Sequence, residues 1–235
     1  MVNIFTFILS ILLPGDSQST PSINEYVGAV GGMERWKSIQ NVVIKSETNY
    51  YTKMHSSNGT KLTPEKSFSR RVITSEGHFF LETTTLRSGK RRIVYNGIKM
   101  KEISPSGFVY EDSNEIINQY KMREIHLGEP WIAMHADSVT FIGKEVDGKN
   151  EFLVFLVTRL DFNRKYYILK STMLLFKVTL FDGNTQAFFE DYRDVDGYKI
   201  PFKITGYVGG IMEHETVLKE VKVNAKIQAS LFEMK

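Results

Sequence analysis

Hairpin-spaced runs of β-branched and aromatic residues predict a mainly β chain. The expected fold is a large curved antiparallel sheet forming an incomplete barrel, lidded by two or three helices. Two further observations support this class. Asn96-Gly97, Asp147-Gly148, Asp182-Gly183 and Asp196-Gly197 each sit between apolar runs, the strongest short-range hairpin signal. The 16 Phe and 11 Tyr among 235 residues lie mostly beside Val, Ile and Thr, a mixture suited to pleated, half-buried surfaces.

In chain order, the apolar run Ile4–Leu13 comes first, followed by Pro14-Gly15-Asp16-Ser17. As a helix it would cover about 15 Å, half a bilayer core, so it is too short to span one. Residues 1–19 read as a secretory signal peptide, although no Lys or Arg precedes the run; the alternative is a buried first strand. Residues 20–235 are expected to form one domain. Ser22 with Glu25 has capping-box spacing, and Tyr26, Val27, Val30 and Met33 recur at helical spacing until Gly31-Gly32 interrupts. One more turn, Met33–Ile39, carries Trp36.

Strands are expected at Asn41–Thr52, Ser67–Thr74, His78–Leu86, Arg91–Tyr95 and Ile98–Ser104. A helix then follows the capping box Asp112-Ser113-Asn114-Glu115. Its stripe is Ile116, Ile117, Tyr120, Arg123 and Leu127, with Pro130 and Trp131 expected to end the region. The second strand series is Phe152–Val157, apolar on both faces, then Arg164–Leu169, Leu174–Phe181, Thr185–Tyr192, Tyr198–Val208 and Met212–Val223. Open twisted sheets rarely exceed about ten strands without curling or splitting. A curled sheet has a concave face that needs a cover, and the helices are the elements available for it.

Composition and motifs exclude more than they assign. The net charge of +3 is weak and scattered, which argues against nucleic acid. With no cysteine there is no disulfide, thiol nucleophile, Cys-zinc site or lipoprotein anchor. Gly15-Asp16-Ser17 resembles the nucleophile block of GDS-type esterases, whose catalytic His follows an Asp by three. Here the residues three before the five histidines are Thr52, Ser75, Arg123, Ile132 and Ile211. Glu190, Asp191, Asp194 and Asp196 cluster at an expected hairpin tip without calcium-loop spacing. The basic pairs Arg70-Arg71 and Arg91-Arg92 read as a solvated sheet face or as a contact for an anionic headgroup. Trp36 and Trp131 read as core anchors. Asn58-Gly59-Thr60 is a glycosylation sequon with no meaning in a bacterium. No catalytic residue, metal or cofactor is expected.

Two stretches resemble the bacterial outer-membrane lipoprotein-sorting (LolA/LolB-like) proteins. Tyr26–Trp36, with Ala29-Val30-Gly31-Gly32-Met33, resembles the helix that opens them, and Asp191–Phe202 (DYRDVDGYKIPF) resembles their "DYR-x-V-D-G-x-x-x-P" hairpin. Val223–Ile227 with Leu231-Phe232 is similar to their closing strand and final short helix. The resemblance implies a half-barrel and a soluble periplasmic protein whose apolar cavity receives acyl chains of lipids or lipoproteins, without chemistry. Strand alternation offers Phe79, Leu81, Ile93, Tyr95, Val154, Leu156, Phe176, Val178 and Leu180 as its lining. The alternative is a cell-envelope interaction or sensor module that uses the scaffold to bind a protein, with no enclosed ligand.

Overall fold

The computed structural model describes residues 20–56, 59–123, 127–160, 162–180 and 183–233. The expected leader, Asn58 of the sequon and His126 lie outside them.

Two short helices open the described chain, α1 (Ile23–Ala29) and α2 (Met33–Lys37). Six strands follow: β1 (Asn41–Ser56), β2 (Gly59–Thr74), β3 (Phe79–Thr85), β4 (Gly89–Tyr95), β5 (Met100–Ile103) and β6 (Val109–Glu111). After α3 (Asn114–Arg123) and α4 (Glu129–Met134) come β7 (Ser138–Asp147), β8 (Asn150–Arg159), β9 (Phe162–Leu169) and β10 (Leu174–Leu180). The last strands are β11 (Thr185–Val195), β12 (Tyr198–Val208) and β13 (Ile211–Val223), before a final 3-10 turn, Ala229–Phe232.

All thirteen strands belong to one antiparallel sheet ordered β6-β5-β4-β3-β2-β1-β13-β12-β11-β10-β9-β8-β7. The two meanders join through β1 and β13, with Val42 opposite Val223 and Tyr50 opposite His214. The sheet is not closed: β6 and β7 are its edges. It curls enough that Met100 of β5 and Phe155 of β8 share one core with Tyr26, Val27, Val30, Trp36, Ile117 and Ile132 of the helices. The fold is the open, helix-covered half-barrel that the strand pattern predicts. The outer face carries two smaller clusters. Val43, Val72, Phe80 and Val94 pack under Phe232, while Phe152, Val154 and Tyr167 pack with Phe176.

At seven residues α1 is too short to persist alone. Its capping box forms as expected, Ser22 Oγ accepting from Asn24 N at 3.2 Å and Ser22 N donating to Glu25 Oε1 at 3.2 Å. Burial of Tyr26, Val27 and Val30, at about 1.5–3 kcal/mol each, holds it to the sheet. Three elements differ from the sequence reading. Pro130 opens α4 instead of closing a helical region, because a missing N–H is harmless in a first helical turn. Strand β6 is only three residues long, too short to show alternation. Strand β7 is an edge whose polar side chains hide the inward Val139 and Phe141.

Candidate ligand cavity

The two stretches that resemble the lipoprotein-sorting family touch each other. At Gly31, φ is +130° and an added Cβ would lie 2.9 Å from the Gly197 carbonyl, so only glycine fits there. Around this contact Arg35 Nη1 donates to Asp196 O at 2.9 Å and Tyr198 Oη donates to Arg35 O at 2.9 Å. Lys199 N donates to Val30 O at 3.2 Å. Trp36 stacks edge-on against Tyr198 at 5.3 Å and donates its Nε1 to Val30 O at 3.1 Å. The α1–α2 corner is thereby pinned to the β11–β12 hairpin. The acidic cluster serves this turn: Gly197 N donates to Asp194 Oδ1, and Asp191 pairs with Arg193.

Pinned at this end, the helices stand off the middle of the sheet and leave a cavity of about 340 Å³. Tyr26, Trp36, Leu127 and Pro130 form its helical wall. Val42 and Ile44 of β1, Leu175 of β10, Phe189 of β11, Ile204 of β12 and Leu218, Val221 and Val223 of β13 form its floor. The space exists because inward positions are small where the wall needs bulk: Ser46, Ala187 and Thr216 line it, and Gly206 makes room for His214. Ser46, Thr216 and His214 lie away from the helical corner along β1 and β13, whereas Arg71 stands level with Ile44 and Val221, and Glu129 and Lys199 join the lining at the helical end.

One charged group at the cavity wall is fully neutralised. Glu129, in the first turn of α4, accepts from Arg164 Nη1 at 3.0 Å and from Tyr166 Oη at 2.5 Å. Tyr26 packs edge-on against Tyr166 at 6.4 Å, and Tyr192 Oη donates to Leu175 O at 2.7 Å. Burial first, and the Glu129 carboxylate among nearby charges, push the Tyr26, Tyr166 and Tyr192 hydroxyls above the ordinary phenol range. They therefore stay neutral. Among the described residues no group of three or more His, Cys, Asp or Glu could hold a metal ion. What the lining offers a ligand is mainly apolar surface, with Ser46, Thr216 and His214 as polar groups at the end away from the helical corner.

None of the nine side chains that alternation offered as lining lies on this cavity. Phe79, Leu81, Ile93, Tyr95, Val178 and Leu180 are on the helix-covered face, in or against the main core, where they pack beside the cavity. Val154 and Phe176 belong to the outer-face cluster, and Leu156 shares the outward parity of Val154 between the inward Phe155 and Val157. For Phe176 the cause is a register shift between Leu175 and Lys177 that breaks alternation within β10. For β8 both faces are covered, so hydrophobicity cannot set parity. The signal that marks the cavity is the small inward residues on β1, β11, β12 and β13. Each basic pair is split across the sheet: Arg71 lines the cavity and Arg70 lies on the outer face, while Arg91 pairs inward with Glu102 and Arg92 pairs outward with Glu82. Trp36 is a buried anchor as expected. Trp131 is half-buried, between Arg159 at 4.2 Å and His135 at 4.3 Å.

No family model matches the sequence, and no curated protein matches it. Solved structures do. A LolA superfamily protein from Nitrosomonas europaea superposes with a TM-score of 0.62 at 9% identity, over 90% of this chain and 96% of that one. A DUF1329 family protein from Desulfovibrio piger gives 0.57 at 12% identity, over 92% and 98%. A domain assigned to the outer membrane lipoprotein-sorting proteins, from Vibrio parahaemolyticus, gives 0.55 at 10% identity, over 88% and 93%. From helical corner to closing strand, this chain has the fold of the LolA-like half-barrels.

Proposed function

We propose that this protein is an exported periplasmic carrier or binding protein that holds one acyl chain of a lipid or lipoprotein and performs no chemistry. The observation that supports it most is the apolar cavity of about 340 Å³ between sheet and helices. That volume lies at the small end of the range of about 300–1,000 Å³ for ligand pockets, which favours one chain over several. Ten buried methylenes at about 0.8 kcal/mol each set an upper bound near micromolar affinity. Ser46, Thr216 and His214, at the end away from the helical corner, give a ligand's polar head hydrogen-bonding partners. The leader-like run Ile4–Leu13 and the LolA-like fold support a periplasmic location. Among the described residues no helix is long and apolar enough to cross a membrane.

Native mass spectrometry with solvent extraction, on protein purified from a bacterial periplasm without detergent, tests the proposal. A bound fatty acid or phospholipid near one-to-one is the expected result. A clean apo mass that also resists loading with fluorescent acyl probes would sink it.

The second reading, an envelope protein partner, is favoured by one surface. Phe108, Val109 and Tyr110, at 68%, 54% and 54% exposure, lie on the open edge around β6. Such an edge invites strand addition. Phe108→Glu would abolish a pull-down complex formed through it and leave acyl binding unchanged.

A further inference from the structure

Beyond Leu127 the acyl cavity has a neighbour, an outer chamber of about 350 Å³. Among the described residues Leu127 alone lines both spaces. Two pairs of chain neighbours are divided between them. Ile73 and Pro130 line the cavity, whereas Thr74 and Trp131 line the outer chamber. The partition is therefore one buried leucine side chain, flanked by the end of β2 and the first turn of α4. It closes the helical end of the cavity: Gly128 packs beside Trp36, and Ile73 stands opposite Val42 at the start of β1. The outer chamber offers apolar surface of its own, from Tyr95, Trp131 and Leu160. Leu160 is 52% exposed, and its φ of +49° is a left-handed conformation that bulky residues rarely adopt. A bond from Leu160 N to Asp137 Oδ2 at 2.7 Å holds it there. A strained leucine facing water does nothing for the fold's own stability, which points to a role in binding.

We propose that the outer chamber receives the far end of a long acyl chain, and that Leu127 and Leu160 set the chain lengths this protein prefers. On the acyl-carrier reading, which this site requires, the polar head stays at Ser46, Thr216 and His214. A chain longer than the cavity then turns Leu127 aside and ends against Trp131 and Leu160. With empty volume on both sides, Leu127 can change rotamer without displacing backbone. Covering Leu160 and Trp131 takes apolar surface out of water, which favours the longer chain.

The test is a series of straight-chain fatty acids of increasing length, each displacing one fluorescent acyl probe from the full chain. Each methylene buried should tighten binding by up to about fourfold. Leu160→Asn suits the left-handed backbone and leaves the core untouched, so its fold should stay native. It should weaken long chains about tenfold, the loss of roughly two methylene contacts, and leave short chains unchanged. Leu127→Ala removes the partition and should tighten long chains relative to short ones. If that variant does not fold, Leu160→Asn decides alone. Long-chain binding that Leu160→Asn leaves unchanged overturns the proposal, and so does an equal loss at every length. A Leu127→Ala length profile parallel to the parent's overturns it too. In each of these cases the carrier reading survives. Failure of every fatty acid and of the probe itself to bind would remove both.

Discussion

Glu129 and Arg164 are the pair on which the cavity wall depends. Their side chains are only 15% and 10% exposed, and Tyr166 adds a hydrogen bond to the same carboxylate. Removing Glu129 takes from the buried Arg164 guanidinium the carboxylate it pairs with. Glu129→Ala should therefore lower unfolding stability by about 3–5 kcal/mol in urea titrations. Replacing both, as Glu129→Leu with Arg164→Met, should recover most of that loss, since the pair's desolvation penalty goes with it. A single variant within 1 kcal/mol or so of the parent would show that water reaches Arg164 after all. The cavity's own residue-scale test is Ala187, which faces into it from β11. Ala187→Trp fills space that a ligand would occupy. Excluding two methylenes at about 0.8 kcal/mol each should weaken acyl-probe binding about tenfold or more, with little change in melting temperature. Unaltered affinity would place the ligand elsewhere.

At the scale of elements, the α1–α2 corner and the β11–β12 hairpin act as one unit although more than 150 residues separate Arg35 from Asp196. Gly31 packs directly against the hairpin's Gly197 carbonyl. Gly31→Ala meets both a left-handed φ of +130° and a carbonyl at 2.9 Å, so the helices must lift or the hairpin must shift. The expected loss is about 1–3 kcal/mol, together with a larger cavity and faster exchange of α1 amides with solvent. Hydrogen exchange that speeds in α1 and the β11–β12 turn together supports the unit, and speeding at α1 alone would break it. These elements were largely legible in the sequence. Asp196-Gly197, Gly31-Gly32 and the Ser22 box are local chemistry, and each local signal matched the structure that formed. Parity was not legible wherever the chain departs from strict alternation. The shift at Leu175/Lys177 turns Phe176 outward, and another between Lys45 and Ser46 leaves Lys219 and Glu220 both on the outer side of β13. A bulge leaves no mark in composition, so alternation placed Val178 and Leu180 inward and Phe176 with them. The cavity was illegible for another reason. It is defined by missing side-chain volume at Ser46, Ala187 and Gly206, and a search for large apolar residues passes over small ones.

For the whole molecule, one seam matters most, because β1 and β13 are the sole contact between the two meanders in the sheet order. The outer side of that seam is laced by ion pairs. Glu47 meets Lys66 at 2.6 Å and Lys219 at 3.4 Å, and Glu220 meets Lys45 at 2.5 Å and also Lys222. The hydrogen bond from Lys66 holds the Glu47 carboxyl below its ordinary range, and those from Lys222 and Lys45 hold Glu220 down to about 2. A carboxyl whose folded pKa is depressed stabilises the fold above its ordinary pKa, and that contribution is lost as pH falls through the folded value. For the seam, the window opens near the ordinary 4.5 and runs down to about 2. These groups are exposed, so salt should weaken the effect. The expected outcome is a melting temperature that is flat from pH 7 to about 5 and then falls toward pH 2. The fall should be shallower in 0.5 M salt, roughly a 4 Å screening length by interpolation. Glu220→Gln should remove its own share of the slope while leaving the plateau nearly unchanged. Carboxyl carbon titration by NMR reads the same group directly. A Glu220 midpoint at 4 or above would mean that the seam is held by strand hydrogen bonds and apolar packing alone, with the ion pairs merely decorating it.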